Sequence, residues 1–299
     1  MIYNYSTDVK KNDSLRESFN ELTRQTFGFD FTGWYKAGHW GDLYLPHVLL
    51  DGNKVISNVS VNFMQFDIGG TIKNYIQLGT VMTDSSYRNQ GLNREIMECI
   101  LDKYADKTDG FYLFGNDDVL KYYPKFGFKP SKEYEYYMPY ENNENINSYA
   151  IEKIDISNQE QCERLYDSIK KYSIDPNKPN QNDSMYMSEN LGLFQFWIAA
   201  GYGDQIYYLP ELEIYVIAAL NENTLHVHQI FGKEAVDFTR LAKSFGKKIN
   251  EIVLGYTPAR KEQFGVREHK EEDCTLFILG NDLERIERDR MMFPLLTHA

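Results

Sequence analysis

The chain has 299 residues, 42% of them hydrophobic and 15% aromatic, including 23 Tyr and 18 Phe, which is ample material for packed cores and excludes a largely disordered polypeptide. Its length exceeds the roughly 100 to 200 residues usual for one core, so two domains are expected, with a single large barrel as the alternative. A net charge of -12 and a pI near 5.0 argue against nucleic acid as a partner, because phosphate-backbone binding relies on clustered Lys and Arg.

The first predicted element is a helix opened by a capping box at Ser14 and Glu17, with Leu15, Phe19 and Leu22 on one face, ending near Gly28. The stretch 29–47 mixes Gly33, Gly38, Gly41 and Pro46 with aromatic residues and reads as an irregular, partly buried loop of the kind that shapes a pocket. Strands follow at 47–50, 55–66 and 73–82, joined by turns at Asp51-Gly52-Asn53 and Gly69-Gly70, which makes an antiparallel meander. Leu92, Ile96, Met97, Ile100, Leu101 and Tyr104 then recur at helical spacing. A strand at 110–114 leads into a short helix from Asn116 that stops at Gly127.

The polar, Asn-rich segment 141–148 is the expected linker between domains at 1–140 and 149–299. Beyond it the order partly repeats: a helix capped at Ser157 and Glu160, a polar loop with Pro176 and Pro179, strands at 206–209, 213–220 and 225–231, a helix at 234–245, and strands at 251–256 and 275–279. Helix, meander, helix, strand thus occurs twice.

Cys99, Cys162 and Cys274 are odd in number and far apart, so they read as reduced core thiols and not as a disulfide framework or zinc site. His226 and His228 share one strand face, a spacing metal sites use, but no third ligand follows at a recognisable distance, and no metal is expected. The N-terminus lacks an apolar signal core and the longest apolar runs, such as 214–220, are too short to span a bilayer, which makes a cytoplasmic protein without membrane partners the expectation.

The segment most informative about chemistry is LGTVMTDSSYRNQGLNREIM, where a strand ends, a short turn follows and a glycine-containing loop opens directly into an amphipathic helix. Free amide groups at a helix start, reinforced by the helix dipole, suit an anionic phosphate. A Walker loop would need Gly-Lys-Ser or Gly-Lys-Thr and a dinucleotide fingerprint three glycines, and this loop offers neither. A second array, FYLFGNDDVLKYYPKFGF, places Asn116 seven residues before Tyr123 and Tyr123 four before Gly127.

Together the two arrays resemble motifs A and B of the GNAT superfamily of acyl-CoA-dependent N-acyltransferases. Val81, Thr83 and the loop Arg88-Asn89-Gln90-Gly91-Leu92-Asn93 match the first, and Asn116, Tyr123, Lys125, Gly127 and Phe128 the second, over roughly residues 13–140. Asn93 departs from the pattern, standing where the family usually keeps Gly or Ala, a departure similar to that of two-domain members of the enhanced-intracellular-survival type. The resemblance implies an α/β fold with a mixed, mainly antiparallel twisted sheet flanked by helices, and a second, degenerate GNAT-like domain that does not bind CoA.

It further implies transfer of an acetyl group from acetyl-CoA to an amine, small-molecule or peptide, by direct attack in a ternary complex, with a non-catalytic acyl-CoA-binding regulatory module as the alternative. Val81 or Met82 would offer its N–H to the thioester carbonyl. Thr83, Arg88, Asn89, Gln90, Gly91, Leu92, Asn93 and Asn116 would contact the cofactor, and Tyr123 would protonate the departing thiolate, with Tyr122 as the neighbouring alternative. No general base stands out: Asp30, His39, Asp42, His47 and Asp67 are the candidates, each more readily a solvated loop residue than a catalytic one. Trp34, Tyr35 and Trp40 are candidates for an acceptor pocket or for core, and the oligomeric state is left open.

Overall fold

The structure, a computed structural model, describes residues 3–173, 185–232, 235–246 and 248–298. The predicted loop around Pro176 and Pro179 and the predicted helix start at Glu234 lie outside the described residues. The strands are β1 (Asn4–Ser6), β2 (Tyr44–Asp51), β3 (Lys54–Ile68), β4 (Thr71–Thr83), β5 (Gly110–Gly115), β6 (Lys129–Ser131), β7 (Glu133–Pro139), β8 (Glu152–Lys153), β9 (Met185–Glu189), β10 (Ile206–Leu209), β11 (Ile214–Asn221), β12 (Thr224–Phe231), β13 (Glu251–Leu254), β14 (Gly265–His269) and β15 (Thr275–Leu279). The helices that matter for the site are α1 (Asp13–Phe27), α2 (Thr32–Lys36), α3 (Leu92–Tyr104), α4 (Gln159–Ser173), α5 (Leu191–Trp197) and α6 (Phe238–Phe245).

Two sheets result. The first runs β1-β2-β3-β4-β5-β15-β6, with β9 added along the far end of β3; the second runs β14-β7-β13-β12-β11-β10-β8. In each, a three-strand antiparallel meander passes through a helix into a parallel strand: β2, β3, β4, α3, β5 in one and β10, β11, β12, α6, β13 in the other. The repeated order read from the sequence is therefore present in three dimensions.

The next strand of each sheet, however, comes from the other half of the chain. β15 lies between β5 and β6, antiparallel to both, and β7 lies between β13 and β14 in the same way. The exchange is reciprocal, and it places a shared core between the sheets: Phe66, Tyr75 and Tyr112 of the first pack with Leu165, Tyr215, Phe231 and Phe293 of the second half. Phe293 stacks on Tyr112 with ring centroids 4.0 Å apart and planes 4° from parallel. Each fully buried large side chain of this kind contributes about 1.5–3 kcal/mol. At the entry of β7 the buried Glu133 carboxylate accepts the Phe293 N–H at 2.7 Å, and burial pushes its pKa up to about 7 despite that bond.

Local signals were followed with two corrections. α1 is capped by Asn12, whose Oδ1 accepts from the N–H groups of Ser14 and Leu15 at 3.0 and 3.2 Å, one position ahead of its first helical residue, in place of the expected Ser14 box. The helix expected from Asn116 to Gly127 is instead two 3-10 turns, Asp117–Val119 and Tyr123–Phe126. Pro124, with no N–H to give and a ring that would clash with the carbonyl four residues back, allows a fresh turn to start there but not a continuous helix.

Candidate active site

β4 and β5 are parallel neighbours, yet they pair only where Tyr75, Ile76 and Gln77 face Gly110, Phe111 and Tyr112; β4 continues to Thr83 and β5 to Gly115 without further pairing. The strands part because β4 is bulged. Against β3, the single residue Val59 stands opposite the two residues Thr80 and Val81, and Thr80 takes a left-handed backbone with φ of 49°. A buried polar network fixes this strained turn: Asn58 Nδ2 donates to the Thr80 carbonyl at 2.7 Å, the Thr80 and Tyr44 hydroxyls are 2.8 Å apart, and Ser60 donates to the Tyr44 oxygen at 2.9 Å. The opening between the two strands leads into a cleft of about 1580 Å³.

Past Thr83, Asp84 caps a 3-10 turn, Ser85–Tyr87, by accepting the Ser86 N–H at 2.9 Å, and Lys54 holds its carboxylate at 2.7 Å. Asn89 and Gly91 then adopt positive φ, 64° and 80°, the second directly at the N-cap of α3. An L-side chain at Gly91 would strain this geometry. The first backbone N–H after Tyr87 that finds an acceptor among the described residues is that of Glu95, to the Gly91 carbonyl at 3.1 Å. The preceding amides are open donors at the positive end of a 13-residue helix. Asn93 does not crowd them, because its side-chain oxygen accepts a hydrogen bond from the buried Ser57 hydroxyl of β3.

Tyr123 starts the second 3-10 turn and is 4% exposed, its ring 5.3 Å from Phe277 of β15 and 6.1 Å from Phe128. It lies across the end of β5, where a Cβ on Gly115 would meet its ring edge at 3.0 Å, so the close approach depends on that glycine. Burial, then the neighbouring Tyr122, pushes the Tyr123 hydroxyl well above the ordinary phenol value, and it therefore holds its proton throughout the neutral range. The Tyr122 hydroxyl is buried without a partner among the described residues; burial raises its pKa, and the charges of Arg94 and Glu98 of α3 act on it in opposite directions.

Of the residues singled out in the sequence, Val81, Met82, Thr83, Arg88, Asn89, Gly91, Leu92, Asn93, Asn116 and Tyr123 all line this one cleft. Gln90 stands outside it, its side-chain oxygen accepting from the Tyr3 hydroxyl at 3.3 Å. Arg94 and Lys125 join Arg88 on the wall. Among the candidate bases only Asp30 lines the cleft. Burial raises its pKa, but the Thr32 N–H and the Arg24 guanidinium outweigh that and leave the carboxyl below its usual value. His47 is buried in the core against Tyr5 and Tyr104, and burial followed by Lys103 brings it down to about 3. Asp42 is ion-paired with Lys10, and Asp67 bonds the Gly70 N–H and the Tyr186 hydroxyl. His39 packs edge-on against Tyr166. Of the three aromatic pocket candidates, Trp34 lines the cleft, Trp40 is core, and Tyr35 lies under the Arg16 guanidinium at 3.6 Å.

The second half supplies a wall that the sequence did not single out. α5 and the π-turn Ile198–Tyr202 after it bring Leu193, Phe196, Trp197, Ala199 and Ala200 to the cleft, anchored by the Trp34 indole N–H donating to the Gly192 carbonyl at 2.8 Å. The only early signal was the run LGLFQFW, indistinguishable by composition from core. In the second sheet the corresponding opening beyond Val227 and Leu254 is filled by the chain itself: the Gly255 N–H donates to the Val227 carbonyl, and the Leu295 N–H donates to the Gly255 carbonyl, both at 2.9 Å. The His226 and His228 rings stack there, 6.3 Å apart, and burial lowers both pKa values, His228 to about 4. Among the described residues no group of three or more His, Cys, Asp or Glu is placed to hold a metal ion. No helix there is long and apolar enough to cross a membrane.

The family model described as acetyltransferase (GNAT) domain matches residues 10–131. No curated protein matches the chain. Among solved structures, the chain is similar to a conserved protein from Enterococcus faecalis V583 described as a probable N-acyltransferase, at 14% identity and TM-score 0.57 over 95% of this chain and 73% of that one. It is similar to a GCN5-related N-acetyltransferase from Kribbella flavida at 12% identity and TM-score 0.58, over 92% and 70% of the two chains. Eis1 from Mycobacterium abscessus gives 13% identity and TM-score 0.57, over 91% and 73%. At these identities the likeness is one of fold, and it extends across both sheets.

Proposed function

From the premise that residues 10–131 are a GNAT acetyltransferase domain, we propose that this enzyme moves an acetyl group from acetyl-CoA to a primary amine within a ternary complex. The pyrophosphate of CoA lies against the open amides before Glu95, with Arg88, Arg94 and Lys125 neutralising phosphate charge. The pantetheine arm enters where β4 and β5 part and takes the place of the missing strand contacts, which brings the thioester to the bulge. There the N–H of Val81 or Met82 polarises the carbonyl, and the developing oxyanion gains a stabilisation of a few kcal/mol. The amine nitrogen forms a C–N bond, the C–S bond breaks, Tyr123 gives its proton to the thiolate, and the amine's surplus proton leaves to solvent. The second half completes the acceptor side of the cleft and does not hold CoA, its own strand opening being filled by residues 294–297. The three free cysteines accord with a reducing, cytoplasmic setting.

The observation that carries this reading is the convergence of the parted strands, the open helix start and Tyr123 on a single cleft. Calorimetry with CoA, followed by thiol release from acetyl-CoA over a panel of amines, tests it. Micromolar binding with amine-dependent release is expected. Binding without any release leaves an acyl-CoA-binding module, and no heat at millimolar CoA refutes the site.

A further inference from the structure

Resting on the acetyl-transfer reading above, we propose that the acceptor is a monoamine carried on an aromatic body, an arylalkylamine, and not a polyamine, an aminoglycoside or a lysine side chain in a polar peptide. The cleft has a direction. The phosphate end follows Thr83, so the acceptor end lies the other way along β4, past the bulge, where Asn62 of β3 faces Gln77 and pairs across to Tyr44. Charge divides the same way, with Arg88, Arg94 and Lys125 near the phosphate loop and its neighbouring turn. The sole acidic side chain lining the cleft among the described residues is Asp30. That carboxylate is already engaged by the Arg24 guanidinium and by the Thr32 N–H at 2.8 Å.

A polycationic acceptor would need an anionic partner for each ammonium it buried, and the wall has none to spare. What the wall does offer is ring surface. Phe29, Phe31 and Trp34 from the segment after α1 meet Phe196 from the second half at centroid distances of 6.0, 5.6 and 5.7 Å, so that the exposed Phe29 and half-buried Phe196 present rings backed by the buried Phe31 and Trp34. The polar edges of this face are turned inward: the Trp34 indole N–H is bonded to the Gly192 carbonyl and the Trp197 indole N–H to the His298 carbonyl at 2.6 Å. At this face a ligand therefore meets rings and no free indole N–H. At the mouth Phe27 and Phe29 are 45% and 41% exposed, large apolar rings left uncovered beside a cleft that a flat apolar ligand would cover.

One polar group here lacks a partner. The Asn62 side chain is 1% exposed, lines the cleft, and its Nδ2 bonds nothing among the described residues. An uncharged amide in an aromatic setting suits an uncharged amine. The same desolvation lowers the pKa of an incoming ammonium, which supplies the neutral nucleophile without a dedicated base. This accords with the failure of His39, Asp42, His47 and Asp67 to reach the cleft.

The test is steady-state transfer by the full chain from acetyl-CoA to 2-phenylethylamine and tryptamine, set against spermidine, an aminoglycoside and a lysine peptide. We expect kcat/KM for the arylalkylamines at least about tenfold above the polycations. Phe29→Ala and Phe196→Ala should each raise KM for tryptamine about tenfold while KM for acetyl-CoA holds, the exposed Phe29 giving a variant whose folding is not at stake. Preference for a polycation or the peptide, or equal loss toward every amine in both variants, overturns the proposal while the acetyl-transfer reading stands. So does a preference for octanoyl-CoA over acetyl-CoA that Phe29→Ala abolishes, since the aromatic face would then hold the acyl chain. Failure of CoA itself to bind overturns both.

Discussion

Replacing Tyr123 by Phe removes one oxygen and almost nothing else. The ring keeps its contacts with Phe277 at 5.3 Å and Phe128 at 6.1 Å, and the close approach at Gly115 involves a ring carbon and not the hydroxyl. No hydrogen bond to that hydroxyl exists among the described residues, so its loss should change stability by less than about 1 kcal/mol, a Tm shift of no more than about 2–4 °C. Chemistry is another matter. A positioned general acid contributes ~10²–10⁴ in rate, or about 3–5.5 kcal/mol of barrier, and single-turnover thiol release should fall by that factor. CoA affinity by calorimetry should not move, because the proton is needed only as the C–S bond breaks. Burial holds the wild-type hydroxyl protonated above the usual phenol value, so its rate should show no falling limb from this group below about pH 10. A Tyr123→Phe rate within about twofold of wild type refutes the assignment, and a loss confined to Tyr122→Phe transfers the role one residue back.

Two further outcomes follow from the same geometry. Gly91→Ala places a side chain on a residue at φ of 80° with nothing within 4 Å of the new Cβ, so strain and not collision is the cost. We expect a loss of ~1–2 kcal/mol in urea unfolding together with a weaker Kd for CoA, and unchanged affinity would detach the loop from the cofactor. Glu133, with a carboxyl at about 7 in the fold against 4.5 in the open chain, binds more protons folded than unfolded. Its stabilising contribution is complete below pH 4.5 and is lost as pH rises through 7, by about 3 kcal/mol at ~1.36 kcal/mol per pH unit. Glu133→Gln keeps an acceptor for the Phe293 N–H, so urea melts at pH 5 and pH 8 should differ less in the variant than in wild type; equal slopes would mean the carboxyl is not the titrating group.

The parts of this molecule legible in its sequence were those decided within a few residues. Alternation and turn chemistry gave β3, β4, β11 and β12 to within a few residues, and the loop into α3 announced itself by Gly91 before an apolar helical stripe. The repetition followed from the order of elements, and the mixed α/β class from the family resemblance of the two motifs. What escaped was decided by distant partners. Residues 133–139 were passed over, because β7 earns its strand state from β13 and β14, more than a hundred residues later. β15 was read as a strand at its true bounds, but nothing in it says that its neighbours are β5 and β6. Likewise β9 and α5 were missed, and with α5 went Phe196 and Trp197, whose aromatic composition alone could not separate a cleft wall from core. Two local signals also bear on the differences: Asn12 caps α1 one step before its first helical residue, and Pro124 breaks the expected 116–127 helix into two short turns.

The exchange of β7 and β15 governs how such a chain comes off the ribosome. Until residues 275–279 have been synthesised, the gap between β5 and β6 has no occupant, and β7 waits equally for β13 and β14. The first sheet thus cannot close before the second half is made, although every residue proposed above to contact the cofactor precedes β6. It closes only once residues 275–279 are available, with raw edges exposed meanwhile. A gene cut at segment 141–148 would yield two pieces each lacking strands that its own sheet needs from the other.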